Sequence, residues 1–154
     1  MAWQTGKKMA FALIALSAAG LAAAAVTDTI AQRQHNMKEM GGAFKAIGEE
    51  LKKSDPSIPT IQANAARMQA LAPNVESWFP QGSGPESGAK THALPAVWSN
   101  RAEFHKDAVA FRQAVDALVV ASKTGNVGQI GAAAGAVGKN GCKSCHETFK
   151  QRDD

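Results

Sequence analysis

The chain has no tyrosine, only two cysteines among 154 residues, and no stretch with the apolar–polar alternation of a half-buried strand. The missing alternation argues against a sheet protein. The single cysteine pair falls short of a closed structural zinc site, which wants four ligands. The apolar stretch Met9 to Ala19 is too short to cross a bilayer comfortably. No internal repeat is visible. The formal net charge of +4 comes from basic residues scattered singly, so it makes no case for a nucleic-acid surface.

What is present begins at the N-terminus. Lys7 and Lys8 precede the apolar stretch, which leads into the small-residue run Ala22 to Ala25. A basic region, a short apolar region and an A-x-A site form a secretory signal. Ala22-Ala23-Ala24 and Ala23-Ala24-Ala25 both fit that site, so residues 1–25 are read as a removed leader and 26–154 as the mature domain. A retained N-terminal anchor is the competing reading. Removal takes away two lysines and no acid, leaving 15 basic and 13 acidic residues.

Both cysteines lie near the other end, in Cys142-Lys143-Ser144-Cys145-His146. This is the C-x-x-C-H attachment signature of c-type haem. Two thiols bond to the two vinyl groups, and the next imidazole reaches the iron from the same side. On a helix the three positions stand at i, i+3 and i+4 and share a face. A redox dithiol, half a zinc site and a plain disulfide are the alternatives, but the first usually accompanies a strand–turn–helix pattern, the second lacks partners, and the third closes too short a loop to stabilise much. Haem c is attached outside the cytoplasmic membrane, so the motif and the leader agree on the periplasm.

Helical spacing organises the rest. A first helix is predicted from Asp28 to Lys53, capped by Thr27 or Asp28, with Ile30, Met37, Gly41, Phe44, Gly48 and Leu51 on one face. Its glycines are costly in a helix and suggest close approach of a flat group or a neighbouring helix. A second runs from Ile58 or Pro59 to Ala72, with Ile61, Ala65, Met68 and Ala72 inward. Pro73 to Pro95 is rich in glycine and proline and reads as a long covering loop, with Trp78 and Phe79 folded back onto the core. A third helix begins near Pro95 or Ser99 and ends at Lys123 before Gly125; it carries Trp98, Phe104, Ala108, Phe111, Val115, Leu118 and Ser122 on one face. A fourth, capped by Asn126, continues to Phe149 and bears the haem motif. The expectation is an all-α, antiparallel up-down-up-down four-helix bundle with one covalently bound haem c.

The placement of C-x-x-C-H near the C-terminus, with Arg33-Gln34, Met37 and Met40-Gly41-Gly42 in the first helix and Thr91 to Trp98 before the third, resembles cytochrome c′, the class II c-type cytochromes. The resemblance implies that Cys142 and Cys145 hold the haem and that His146 is the axial iron ligand. It implies that Arg33 and Gln34 lie against the cofactor, Arg33 within reach of a propionate, a charge-assisted pair. Without it, Arg33 would read as a solvated helix-face charge. Met37 matches the distal position. Lys150 stands near the proximal imidazole, or is simply a cation favoured at a helix end. Phe149 takes the place of a hydroxyl-bearing aromatic found in some relatives. His92 and His105 read as surface histidines.

The resemblance further implies an electron-transfer protein that binds small gases, NO and CO, at a five-coordinate iron guarded by Met37, usually as a homodimer through the first two helices, with a redox partner of unknown identity. In some low-spin relatives a first-helix Met instead ligates the iron, as His/Met ligation suits a dedicated electron carrier. The Gly/Pro loop and the Thr91–Trp98 segment look more like the five-coordinate group. An enzyme such as a peroxidase or NO reductase would need a distal acid/base group. His35 is the only candidate, and its position two residues before Met37 should point it elsewhere, so the chain is not read as an enzyme.

Overall fold

The computed structural model describes the backbone of residues 5–152 and the side chains of residues 23–152. Helix α1 runs over Thr5–Leu51, α2 over Ile58–Leu71, a short α3 over Ala96–Ser99, and α4 over Arg101–Lys123. The last rod is made of α5, Val127–Ala136, a π-helical segment, Val137–Lys143, and α6, Ser144–Phe149. α1 packs on α2 and α5, and α4 packs on α2 and on the last rod, so the four long elements close a ring around one core. This is the expected all-α four-helix bundle.

The helix ends have local causes. Ser57 caps α2 by accepting from the Thr60 N–H, with Pro59 in the first turn. Gly125 adopts φ +69° and closes α4. Asn126 caps α5, accepting from the Gln129 N–H at 3.0 Å. The start of α1 differs from the expectation. Its backbone is already helical at Thr5, and Thr27, expected as a cap, sits inside the helix, its hydroxyl donating to the Ala23 carbonyl at 3.1 Å. The stretch before it is alanine-rich with no proline, so nothing interrupts the helix in the uncut chain. Of the proposed leader, residues 1–4 and the side chains to residue 22 lie outside the described residues. Among the described residues no helix is long and apolar enough to cross a membrane.

The core stripes of α2 and α4 are those the spacing predicts: Ile61, Ala65 and Met68, and Phe104, Ala108, Phe111, Val115, Leu118 and Ser122 are all buried. On α1 the buried face is rotated by one position. Ile30, Arg33, Met40, Ala43, Ile47 and Glu50 are buried, while Met37, Phe44 and Leu51 flank them. The rotation arises because α1 has two neighbours and a cavity to face rather than one seam. Gly41 and Gly42 are exposed, and an added Cβ would meet nothing within 4 Å. They do not make room for a core neighbour.

The covering loop is partly ordered into 3₁₀ turns at Ala72–Trp78 and Pro85–Ser87. Phe79 is buried, as expected, and meets Phe104 edge to face at 5.0 Å. Phe104 meets Phe149 the same way at 5.2 Å. The end of the chain is tied to the segment before α3: Leu94 donates to the Phe149 carbonyl at 2.9 Å and Gln151 to the His92 carbonyl at 2.7 Å. This single antiparallel bridge, Ala93 to Lys150, closes one edge of the cavity described next.

Candidate haem site

A cavity of about 500 Å³ opens between α1, the segment before α3, and α6. α1 contributes Arg33, Gln34, Met37 and Lys38; the covering segment contributes Phe79, Thr91, His92 and Ala93; Val97, Phe104, Cys145, His146, Phe149 and Lys150 complete it. The volume lies within the range of small-molecule and cofactor pockets, and the apolar lining with a few polar groups is of that kind. Met37 and His146, 109 positions apart in the chain, line the same space.

Arg33 is buried, 4 % exposed. Its Nη1 donates to the Ser83 hydroxyl at 3.1 Å and the Trp78 carbonyl at 3.4 Å. Its Nη2 donates to the Ser83 carbonyl at 3.0 Å and the Thr91 hydroxyl at 2.8 Å. The guanidinium lies 4.6 Å from the Phe79 ring centroid. Burial lowers its pKa, and among the described residues no carboxylate pairs with it. Gln34, one residue on, donates to the Lys90 carbonyl at 3.1 Å. Both residues line the cavity, as expected, and both also pin the covering loop. With four of five guanidinium N–H groups spent on that loop, only Nε is left for a ligand.

Two thiols and an imidazole form the other wall. Cys145 and His146 line the cavity; Cys142 is half-buried against the core and is not among the lining residues. The reason is the π-helical segment, which the 3.6-residue spacing did not anticipate. It runs through Cys142 and Lys143, so the first thiol stands on a wider turn than Cys145 and His146, which are on α6. The rod is drawn onto α4 there: an added Cβ at Gly141 would stand 2.6 Å from Phe111 Cδ2. Burial raises the pKa of Cys142 and, with the charges of Asp107 and Cys142, pushes Cys145 up to about 12. A redox dithiol needs the opposite shift. Among the described residues no three His, Cys, Asp or Glu side chains gather as a metal-binding group. Burial, and then Lys150, lower the His146 pKa, favouring the neutral imidazole that a metal ligand requires.

Sequence reasoning missed several contributors. Lys38 carries no motif signal. Phe104 was read as core and Phe79 as a folded-back loop residue, and both prove to be cavity walls as well. His35, the distal acid/base candidate, is exposed and does not line the cavity. The donor set therefore fits a flat, largely apolar group with anionic substituents, bound by thiol and imidazole.

A family model described as Cytochrome C′ matches residues 28–150. A cytochrome c′ from Rubrivivax gelatinosus is 48 % identical over 126 residues, covering 81 % of this chain and 95 % of the relative. A crystal structure of cytochrome c′ from that organism aligns with a TM-score of 0.74 at 34 % identity, covering 82 % of this chain and 97 % of that one. A ferrous cytochrome c′ variant from Alcaligenes xylosoxidans, with bound NO, aligns with a TM-score of 0.74 at 26 % identity, covering 83 % and 97 %.

Proposed function

The chain belongs to the cytochrome c′ family, and from that premise we propose that it is a periplasmic c-type cytochrome that passes single electrons and binds NO and CO at a five-coordinate haem. The observation that carries this reading is the shared cavity of Met37 and His146, with a thiol beside the imidazole and no imidazole or carboxylate on the α1 wall. When bound, haem supplies a one-electron couple and an open coordination position.

This chain's residues divide the remaining work. Cys142, on the π-helical segment, and Cys145, on α6, would supply the two thioether sulfurs. His146 would supply a nitrogen donor to the iron. Met37, on the α1 wall, would present an apolar, flexible thioether that leaves room for a diatomic and itself offers an anion no hydrogen-bond donor. Arg33 and Gln34 hold the loop shut over one edge, which keeps water from that edge. Arg33 Nε, with its buried and otherwise unpaired charge, suits a propionate. The exposure of His35, which does not line the cavity, supports a carrier and gas binder over an enzyme that would use it to activate peroxide.

Export through the N-terminal leader and a homodimer through α1 and α2 complete the reading. The leader is supported by Lys7, Lys8 and the alanine run. The exposed Gly41 and Gly42 leave a flat outer surface on α1 that would admit a second copy. The visible spectrum of the purified protein tests the central claim. A high-spin spectrum with CO binding on reduction is expected; a low-spin spectrum whose Met-to-iron band is lost in Met37→Ala would instead make the protein a dedicated electron carrier.

A further inference from the structure

The face of α4 turned to the motif carries Phe104, Asp107, Ala108 and Phe111, all buried. Three are apolar and one is a carboxylate. Asp107 lies on this face between Phe104, which meets Phe149 at 5.2 Å, and Phe111, which stands against Gly141, so it is set alongside the motif, and its charge acts on Cys145. Burial, and the neighbouring Glu103, push its carboxyl above the usual range, while Lys106 and Ser144 oppose this. Lys106 itself is directed to Glu103 at 3.0 Å. Among the described residues Asp107 has no ion-pair partner.

A buried carboxylate without an ion pair is costly, and the bundle does not need it for packing. An asparagine would fill the same space and keep an oxygen toward Ser144. What the aspartate adds is a negative charge, and that charge acts on Cys145, a wall of the cavity. A thioether at Cys145 would bring the rim of the macrocycle up to that sulfur.

We propose that Asp107 sets the reduction potential of the haem, its negative charge near Cys145 favouring the ferric over the ferrous iron and so holding the potential down. The inference rests on the attachment proposed above. The physics is Coulombic: a fixed charge in a partly dry seam is screened less than one on the surface. The reaction concerned is a one-electron reduction in which no bond forms or breaks, the electron coming from a mediated electrode. Asp107 acts through space and is a positioning and tuning group, with no contact to a reacting atom.

The test is a spectroelectrochemical titration of the holoprotein at about pH 8, well above the carboxylate range. It compares the wild type with Asp107→Asn and with Glu103→Gln, an exposed carboxylate one turn away that is already paired with Lys106. The Asp107→Asn midpoint moves to a more positive potential, while that of Glu103→Gln stays at the wild-type value. Coincident midpoints for the wild type and Asp107→Asn, or equal shifts in both variants, overturn the proposal. Because asparagine keeps the size and an oxygen of aspartate, a purely structural role for Asp107 predicts no shift. Should Asp107→Asn yield no holoprotein, Asp107→Ser is titrated with the same two outcomes. A pyridine haemochrome spectrum taken first reports separately on attachment: wild-type protein without covalent haem defeats the attachment reading and this proposal with it.

Discussion

Arg33 of α1 and Ser83 of the covering loop are joined twice, Nη1 donating to the hydroxyl at 3.1 Å and Nη2 to the carbonyl oxygen at 3.0 Å. The planar fork of a guanidinium can serve both acceptors together with Trp78 and Thr91; no other side chain can. The loop and the first helix are thus held as one wall of the cavity before any ligand is considered.

Arg33→Lys removes that fork while keeping the charge. One ammonium cannot reach four acceptors spread over residues 78–91, and those left over are buried. A loss of about 2–4 kcal/mol is expected from chemical denaturation, with faster proteolytic nicking between residues 80 and 91. Wild-type stability in this variant would mean that the loop is held by its aromatic contacts instead.

The double variant Cys142→Ala, Cys145→Ala is expected to lose all covalently held haem. Haem staining after denaturing electrophoresis reads this directly. Cys145→Ala alone is the more informative variant, because Cys142, on the π-helical segment, is the thiol that does not line the cavity. A stained band there would show that Cys142 reaches the cofactor without its partner.

Gly141→Ala places a methyl group against Phe111, whose ring and Cα both stand close. Phe111 is itself buried, so its ring has little room to retreat. Overpacking of this kind costs about 1–3 kcal/mol. Gly131→Ala on the same rod, with nothing within 4 Å of the added carbon, is the matched control and should be neutral or slightly stabilising. Equal melting temperatures for the two variants would contradict the close approach of α4 to the rod.

Glu50 joins the end of α1 to the start of α2. It accepts from Lys53 Nζ at 2.7 Å and from the Ser57 N–H at 3.0 Å, and these bonds, the lysine's first, hold its carboxyl below 4.5. A depressed folded pKa gives stability that is present above the unfolded value and lost as the pH falls through the folded one. Part of the acid destabilisation below pH 4.5 should therefore be missing in Glu50→Gln. Identical pH–stability curves for the two proteins would remove Glu50 from that account.

How much of this was legible beforehand varies by element. The inward stripes of α2 and α4 could be read from spacing alone, because each of those helices buries one continuous apolar face. The α1 stripe came out one position off, since Arg33 and Glu50 are buried there and a hydropathy pattern cannot foresee polar residues whose partners lie in loops. The π-helical segment through Cys142 was invisible for a related reason. It depends on how closely Gly141 approaches Phe111, which is a contact between elements. Asp107 was passed over because a charged residue on a helix is usually solvated.

The sequence by itself determined the cofactor chemistry, through C-x-x-C-H, and the helical architecture, through periodicity and punctuation; both are local properties of the chain. The tertiary structure alone decided what faces the cavity. It brought Met37 and His146 to one cavity, turned His35 to solvent, bound Arg33 into the loop and buried Asp107 on the α4 face where its charge acts on Cys145. Those relationships join residues tens of positions apart, and their energies depend on distance and burial, which exist only once the helices have packed.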